Sequence, residues 1–328
     1  MNVLNQAHGE RWALYHGDCC EVLDGLPENS VDYSIFSPPF ASLYTYSNSE
    51  RDIGNNKDYR QFAKHMRFLA LKLFRVMKPG RNVSIHCMDI PLLKERDGII
   101  GLRDFRGHLI RIFQRAGFIL HSQVTIWKDP LVEATRTKAI GLMHKQLVKD
   151  SAMCRQGLPD YLVTLRKPGV NQYPITHENG LTEFAGEDAP QTTVTERPGP
   201  DPDLYAKKKK YNETPVYSHQ VWRRYASPVW MDIRQTNTLN RNPARDTDDE
   251  RHICPLQLDV IERALTLWTN PGDVTLDPFN GISSTGYQAI KMDRYYVGIE
   301  LKGSYFNQGT RNLSELESEL FIEKYLGG

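Results

Sequence analysis

The sequence predicts an α/β protein whose sheet is mostly parallel and covered by helices on both faces. Two observations carry this prediction. Apolar runs of strand length alternate with helical periodicities along residues 1–167, and the same alternation returns along 252–328. Two of those strands run into loops of unusual chemistry, Ser37-Pro38-Pro39-Phe40 and Asp277-Pro278-Phe279-Asn280-Gly281. Composition is consistent with this class: 40% hydrophobic and 25% charged residues over 328 positions suit a globular chain with a sizeable core.

Taken in order, residues 12–15 read as a short strand ending at His16-Gly17-Asp18. An acid just beyond a strand end sits where α/β sheets bind ligands. Residues 31–36 read as a buried strand, stopped by Pro38 and Pro39 because proline has no N–H for a ladder and a fixed φ. The corner that follows offers the Ser37 hydroxyl, backbone carbonyls held by the prolines, and the flat face of Phe40. Such a corner can grip a planar ring bearing an amine, and by itself it is equally a plain strand followed by a proline turn.

Residues 41–57 form a polar segment of the length of a lid or substrate loop. Tyr59, Phe62, Met66, Leu69, Leu73 and Met77 repeat at helical spacing and predict a helix over 58–77, closed by Lys78-Pro79-Gly80. A strand over 82–87, a helix over 104–116, and strands over 119–127 and 161–165 follow. Within these, His86 and the Trp127-Lys128 pair end strands near the Ser37 corner; packing and ligand contact are both open for them.

Periodicity fades near Lys167. The segment 168–203 is rich in proline, glycine, threonine and acids, and Lys207, Lys208, Lys209 and Lys210 then form a basic run. Tyr211, Tyr217, Trp222, Arg223, Arg224, Tyr225 and Trp230 come close behind. Cations interleaved with aromatics can contact phosphates and stack on bases, although a solvated charge run beside a packed aromatic patch has the same composition.

Regular patterning resumes at His252. Leu256, Val260, Ile261, Ala264, Leu265 and Trp268 predict an amphipathic helix, followed by a strand over 274–276, a helix over 284–292 and a strand over 295–299 ending at Glu300. A terminal helix is expected over 315–326. Strand, glycine loop, helix, strand and acid make a nucleotide-binding arrangement: Gly281 lets backbone approach a ligand, and Glu300 is placed to take the two hydroxyls of a ribose. The loop is neither a Walker sequence nor a GxGxxG, which disfavours ATP and NAD.

The five cysteines show no CxxC pair and no metal-ligand spacing, as expected of reduced thiols. The start of the chain lacks a signal-peptide pattern and no apolar run reaches membrane-spanning length, so a soluble, cytoplasmic protein is expected. A net charge of +1 places any nucleic-acid surface in local clusters.

With both loops quoted, the chain resembles the DNA amino-methyltransferases, which methylate the exocyclic amine of cytosine or adenine from S-adenosylmethionine. The resemblance extends to Gly17-Asp18, the segment His252-Ile253-Cys254-Pro255-Leu256, and Gly298-Ile299-Glu300. The motif order, catalytic before cofactor, is similar to the circularly permuted β group. The resemblance implies a Rossmann-like methyltransferase fold divided as catalytic half 1–167, target-recognition insertion 168–251 and cofactor-binding half 252–328.

It implies that Asp277, Phe279 and Gly281 line the cofactor, that Glu300 binds its ribose and that Asp18 accepts from its adenine amine. Cys254 and Pro255 would close over the methionine end, with Thr285 as a hydroxyl contact. Ser37, Pro38, Pro39 and Phe40 would hold the target base. With DNA as partner, the basic and aromatic run described above assigns its contacts to Lys207, Lys208, Lys209, Lys210, Trp222, Arg223 and Arg224. The implied partner is DNA, with no membrane and no metal, and with room for a homodimer or a partner nuclease. Serine at position 37 favours cytosine N4 over adenine N6. Many relatives carry a second glycine where this chain has Ser283, so a catalytically weak DNA-binding relative is the alternative, and an RNA or protein amine a third reading.

Overall fold

The computed structural model describes residues 3–39, 59–92, 94–137, 144–177, 181, 222, 224–240 and 255–326. The first half forms β1 (Asn5–His8), β2 (Trp12–His16), α1 (Cys19–Asp24), β3 (Val31–Phe36), α2 (Tyr59–Val76) and β4 (Met77–Cys87). It continues with β5 (Ile90–Leu92), α3 (Lys94–Asp97), β6 (Gly101–Arg103), α4 (Phe105–Arg115), β7 (Ile119–Ile126), α5 (Pro130–Thr137), α6 (His144–Asp150) and β8 (Asp160–Arg166). The second half adds β9 (Val229–Trp230), α7 (Leu258–Trp268), β10 (Val274–Asp277), α8 (Ser284–Lys291), β11 (Tyr295–Glu300) and α9 (Gly303–Leu326).

The main sheet has the order β1-β2-β11-β10-β3-β4-β8-β7-β9. β2, β11, β10, β3 and β4 run parallel, while β8 is antiparallel to both β4 and β7. The C-terminal strands β10 and β11 therefore sit between the N-terminal strands β2 and β3. β3 lies at the centre with all six residues buried, as the continuous apolar run predicts for a strand covered on both faces.

One layer packs α1, α2 and α4 against Phe36, Val83, Ile85, Leu276 and Ile299. The other packs α7, α8 and α9 against Trp12, Leu14, Tyr33, Ile35 and Tyr296. In α2, Phe62, Met66, Leu69, Leu73 and Val76 all face inward. Each such side chain contributes about 1.5–3 kcal/mol over its exposed state. The helix ends where expected, but the chain turns into β4 at once, five residues earlier than the predicted strand at 82. Val31 pairs with Met77 and Tyr33 with Asn82, so Pro79 and Gly80 (φ +75°) occupy a bulge against β3, where the missing N–H of Pro79 costs no ladder bond.

That bulge delivers buried charge to the sheet. Asp32 receives Lys78 Nζ at 2.7 Å and lies 3.2 Å from Arg81 Nη2, and Arg81 Nη1 reaches Asp273 at 3.0 Å. The Asp32 carboxylate also accepts the Val274 N–H at 3.0 Å. β3, β4 and β10 are thus clamped at their starts, which aligns their far ends.

Several segments depart from the sequence reading. β1, the β5–β6 ribbon, α5 and α6 are short elements with no long periodicity to announce them. α9 begins at Gly303, ahead of the expected 315, and Gly309 within it permits close packing: a Cβ there would meet Ser283 Oγ at 2.5 Å. The end of the expected insertion also joins the sheet, as β9 pairs parallel with β7. Trp230 is 1% exposed and Tyr225 is buried, so both are core residues and neither is a stacking platform. Asp232 accepts from Arg263 at 2.7 Å, and Asp259 from Arg234 and Asn237, tying 232–237 to α7. Among the described residues no helix is long and apolar enough to cross a membrane.

Candidate active site

The chain after β3 crosses through α2 on one face of the sheet, and the chain after β10 crosses through α8 on the other. β3 and β10 are neighbours, with Ser34 opposite Leu276 and its hydroxyl donating to the Leu276 carbonyl at 2.9 Å. Neighbouring parallel strands whose connections diverge open a crevice at their carboxyl ends, the position at which such sheets bind ligands. Both loops singled out in the sequence leave the sheet there. The rings of Phe36 and Phe279 pack 5.6 Å apart beneath them.

The β10 side is tightly bonded. Asp277 accepts the Phe279 N–H at 2.8 Å and the Thr285 hydroxyl at 2.8 Å. Burial pushes its carboxyl up to about 7, against the lowering pull of those two donors. Asp277 and Thr285 therefore hold each other and shape the loop, a structural task beyond the cofactor contacts expected of them. Gly281 takes φ +54°, which glycine adopts without strain, and donates its N–H to Glu300 Oε2 at 2.7 Å. Glu300 Oε1 accepts from the Lys302 N–H at 2.8 Å, so the carboxylate is fixed at the tip of β11.

The Gly17 N–H donates to the Glu300 carbonyl at 2.9 Å, which brings Asp18 alongside. Asp18 caps α1, with Oδ1 accepting from the Cys20 N–H at 2.8 Å and the Glu21 N–H at 3.2 Å. Asp18, Glu300 and the Gly281 turn thus surround the ends of β2, β11 and β10. This donor and acceptor set suits a nucleoside, with carboxylates for hydroxyl and amine groups and a backbone that permits close approach. Pro255 is half-buried at the entry to α7.

Ser283 has a defined place. It is fully buried in the left-handed conformation at φ 70°, and its hydroxyl donates to Asn280 Oδ1 at 2.8 Å. The same oxygen accepts from the Tyr296 hydroxyl at 2.7 Å, and Asn280 Nδ2 donates to the Gly281 carbonyl at 2.9 Å. The serine hydroxyl packs against Gly309 in the interior.

The β3 side is held through register. Phe36 pairs with Ile85, which sets Ser37 beside His86; His86 pairs with Leu162, two residues from Asp160; and Asp160 pairs with Ile126, two residues from Lys128. Ser37 Oγ lies 3.5 Å from His86 Nδ1. His86 Nε2 lies 3.3 Å from Asp160 Oδ2, and Lys128 Nζ 2.5 Å from Asp160 Oδ1. Burial works to raise the Asp160 carboxyl, but Lys128 and His86 outweigh it and hold it at about 2. His86 and Lys128, left open in the sequence, join the site; Asp160 was missed, since an acid before a strand carries no signal of its own. Pro38 is buried and Pro39 half-buried.

Of the expected DNA contacts, Trp222 is 58% exposed, whereas Arg224 is engaged within the chain, its Nε 2.6 Å from Asp232. Phe40, Lys207, Lys208, Lys209, Lys210, Arg223 and Cys254 lie outside the described residues.

The chain is 24% identical over 313 residues to the Type II methyltransferase M.BglII of Bacillus subtilis, covering 92% of this chain and 68% of that protein. A match to the DNA adenine methyltransferase YhdJ of Escherichia coli, 41% identical over 54 residues, spans 16% of this chain and only 18% of that one. Two solved structures share the fold. The Thermus thermophilus protein TTHA0409, complexed with S-adenosyl-L-methionine, superposes with a TM-score of 0.60 at 21% identity, covering 94% of both chains. The cytosine-N4-specific PvuII DNA methyltransferase superposes with a TM-score of 0.56 at 15% identity, covering 97% of this chain and 96% of its own. The fold is that of the Rossmann-like methyltransferases, as the resemblance implied. The model of the N6/N4 DNA methylase family matches residues 31–311, and the chain belongs to that family.

Proposed function

We propose that the protein transfers a methyl group from S-adenosylmethionine to the exocyclic amine of a DNA base flipped out of its duplex, with cytosine N4 favoured over adenine N6. The observation that carries this reading is the meeting of the Ser37-Pro38-Pro39 corner and the Asp277–Gly281 loop at the divergence of β3 and β10. S-adenosylmethionine, when bound, supplies a methyl group on a sulfonium. Glu300 and Asp18 would hold its ribose and adenine, and the Gly281 turn would admit it closely.

An exocyclic amine is a weak nucleophile because its lone pair is delocalised into the ring. Ser37 Oγ and the Pro38 carbonyl would accept its two hydrogens and draw the nitrogen towards a tetrahedral shape. Holding this nitrogen in line with the methyl group is the main catalytic contribution, as in other bimolecular transfers. The target amine is inaccessible to this geometry within a stacked duplex, so the base must leave the helix. Serine is a neutral acceptor, roughly half as strong as a charged carboxylate. Relatives with serine here mostly methylate cytosine, which supports the choice of base.

The test is incubation with S-adenosylmethionine carrying a deuterated methyl group and mixed-sequence duplex DNA, followed by digestion and mass spectrometry of the nucleosides. Labelled N4-methyldeoxycytidine is expected. Labelled N6-methyldeoxyadenosine would overturn the choice of base, and no labelled nucleoside would overturn the activity.

A further inference from the structure

Four side chains from four adjacent strand ends lie in a row beside the crevice, Ser37, His86, Asp160 and Lys128, each within 3.5 Å of the next. His86 and Asp160 are buried, and Lys128 is nearly so. The Lys128–Asp160 pair alone would be an ordinary buried ion pair. The line becomes a candidate for function because its outer end is the hydroxyl proposed above to meet the target amine, and because a histidine separates that hydroxyl from the acid.

We propose that His86, oriented by Asp160 and Lys128, acts through Ser37 as the positioning residue that takes the Ser37 hydroxyl proton and so passes on the proton released by the methylated amine. This rests on the amine methylation proposed above. Asp160 Oδ2 lies 3.3 Å from Nε2 without the alignment of a hydrogen bond; because a carboxylate is an acceptor only, a ring turned to meet it carries its hydrogen on Nε2. Nδ1 then presents its lone pair to Ser37, and the serine O–H turns towards His86. Both lone pairs of Oγ are left to accept from the amine. Without His86 the hydroxyl is free to rotate and point its hydrogen at the amine, which opposes the reaction.

The step balances. The amine lone pair forms the N–C bond as the C–S bond breaks, and the C–S electron pair stays on sulfur as a neutral thioether. The methylated nitrogen then carries a positive charge and gives one proton to Ser37 Oγ, while Oγ gives its own to His86 Nδ1. The imidazolium is stabilised by Asp160 and returns its proton to solvent. Lys128 keeps Asp160 ionised and holds it in place. The 3.5 Å separation of Oγ and Nδ1 is at the outer limit of a hydrogen bond, and such contacts shorten when substrate closes the site.

The test combines turnover with a readout that needs no turnover. His86→Gln should lower the single-turnover methylation rate about 100-fold while leaving affinities for S-adenosylmethionine and DNA within about twofold. Ser37→Ala combined with His86→Gln should be no slower than Ser37→Ala alone, because His86 works only through the hydroxyl. A purely structural histidine would give additive losses. Independently, 15N NMR of the imidazoles should show His86 as the Nε2–H tautomer in the wild type, and Asp160→Asn should shift it.

Additive losses, an unaffected rate in His86→Gln, or an Nδ1–H tautomer would each overturn the proposal. If His86→Gln does not fold, the tautomer in the wild type and in Asp160→Asn decides the matter. A wild type that methylates no DNA amine defeats the proposed function instead, and the tautomer measurement separates the two failures.

Discussion

The loops after β10 and β3 leave the sheet side by side but are built in opposite ways. In the β10 loop almost every polar group is bonded within the chain: Asp277 to Phe279 and Thr285, Asn280 to Ser283, Tyr296 and Gly281, and Gly281 to Glu300. In the β3 corner Ser37 has a loose 3.5 Å approach to His86, and the prolines donate nothing. A surface that holds one ligand in a single pose gains from being bonded before the ligand arrives. In the proposed function the β3 corner draws hydrogens from an amine, and a surface with that task keeps its acceptors for the amine.

The largest effect should come from opening the closed side. Asp277→Ala leaves the buried Thr285 hydroxyl and the Phe279 N–H without their acceptor. Two stranded donors cost about 2–6 kcal/mol, read by urea denaturation, and cofactor binding should be lost with the loop. Asp277 also carries a pH signature. The unfolded carboxyl titrates near 3.8 and the folded one near 7, so the folded state binds the proton more tightly over that window. The resulting stabilisation is full below about pH 4 and lost as pH rises through about 7, on the order of 4 kcal/mol in all. Denaturation at about pH 5 and about pH 8 should show this loss, and Asp277→Asn should flatten it. A wild-type slope unchanged in Asp277→Asn would place the titration elsewhere.

A smaller effect is expected where the closed side meets the ligand. Glu300→Gln keeps an acceptor for the Gly281 N–H but removes the charge offered to the ribose. Loss of a charged hydrogen-bond partner weakens binding by about 1.5–3 kcal/mol, or roughly 10- to 150-fold in the dissociation constant by calorimetry. An unaltered constant would remove Glu300 from the ribose site. The smallest effect belongs to Ser283→Gly. Relief of the left-handed backbone offsets the lost bond to Asn280, so stability should change by less than about 1 kcal/mol. Cofactor affinity should stay within about twofold, since the serine side chain is turned into the interior. A larger change in affinity would mean that Ser283 shapes the crevice after all.

Much of the fold was legible because its evidence is local. The six-residue apolar run of β3 and the helical spacing of α2 and α7 depend on neighbours along the chain, and they appear within a few residues of where they were expected. The basic and aromatic run was harder. Tyr225 and Trp230 have the composition of a nucleic-acid surface and are buried under α7, because composition does not record which face an aromatic takes. The start of α9 was concealed by Gly303 and Gly309, weak helix formers placed by packing.

By itself the sequence determined the class of sheet, the two loops at strand ends and their likeness to the DNA amino-methyltransferases, since each of these is written in consecutive residues. The tertiary structure decided what faces those loops. The place of Ser283 depends on a glycine in the last helix, and the line from Ser37 to Lys128 depends on the register of four strands drawn from distant parts of the chain. Hydrogen bonding between strands sets which side chains meet, and that pairing is absent from any short stretch of sequence.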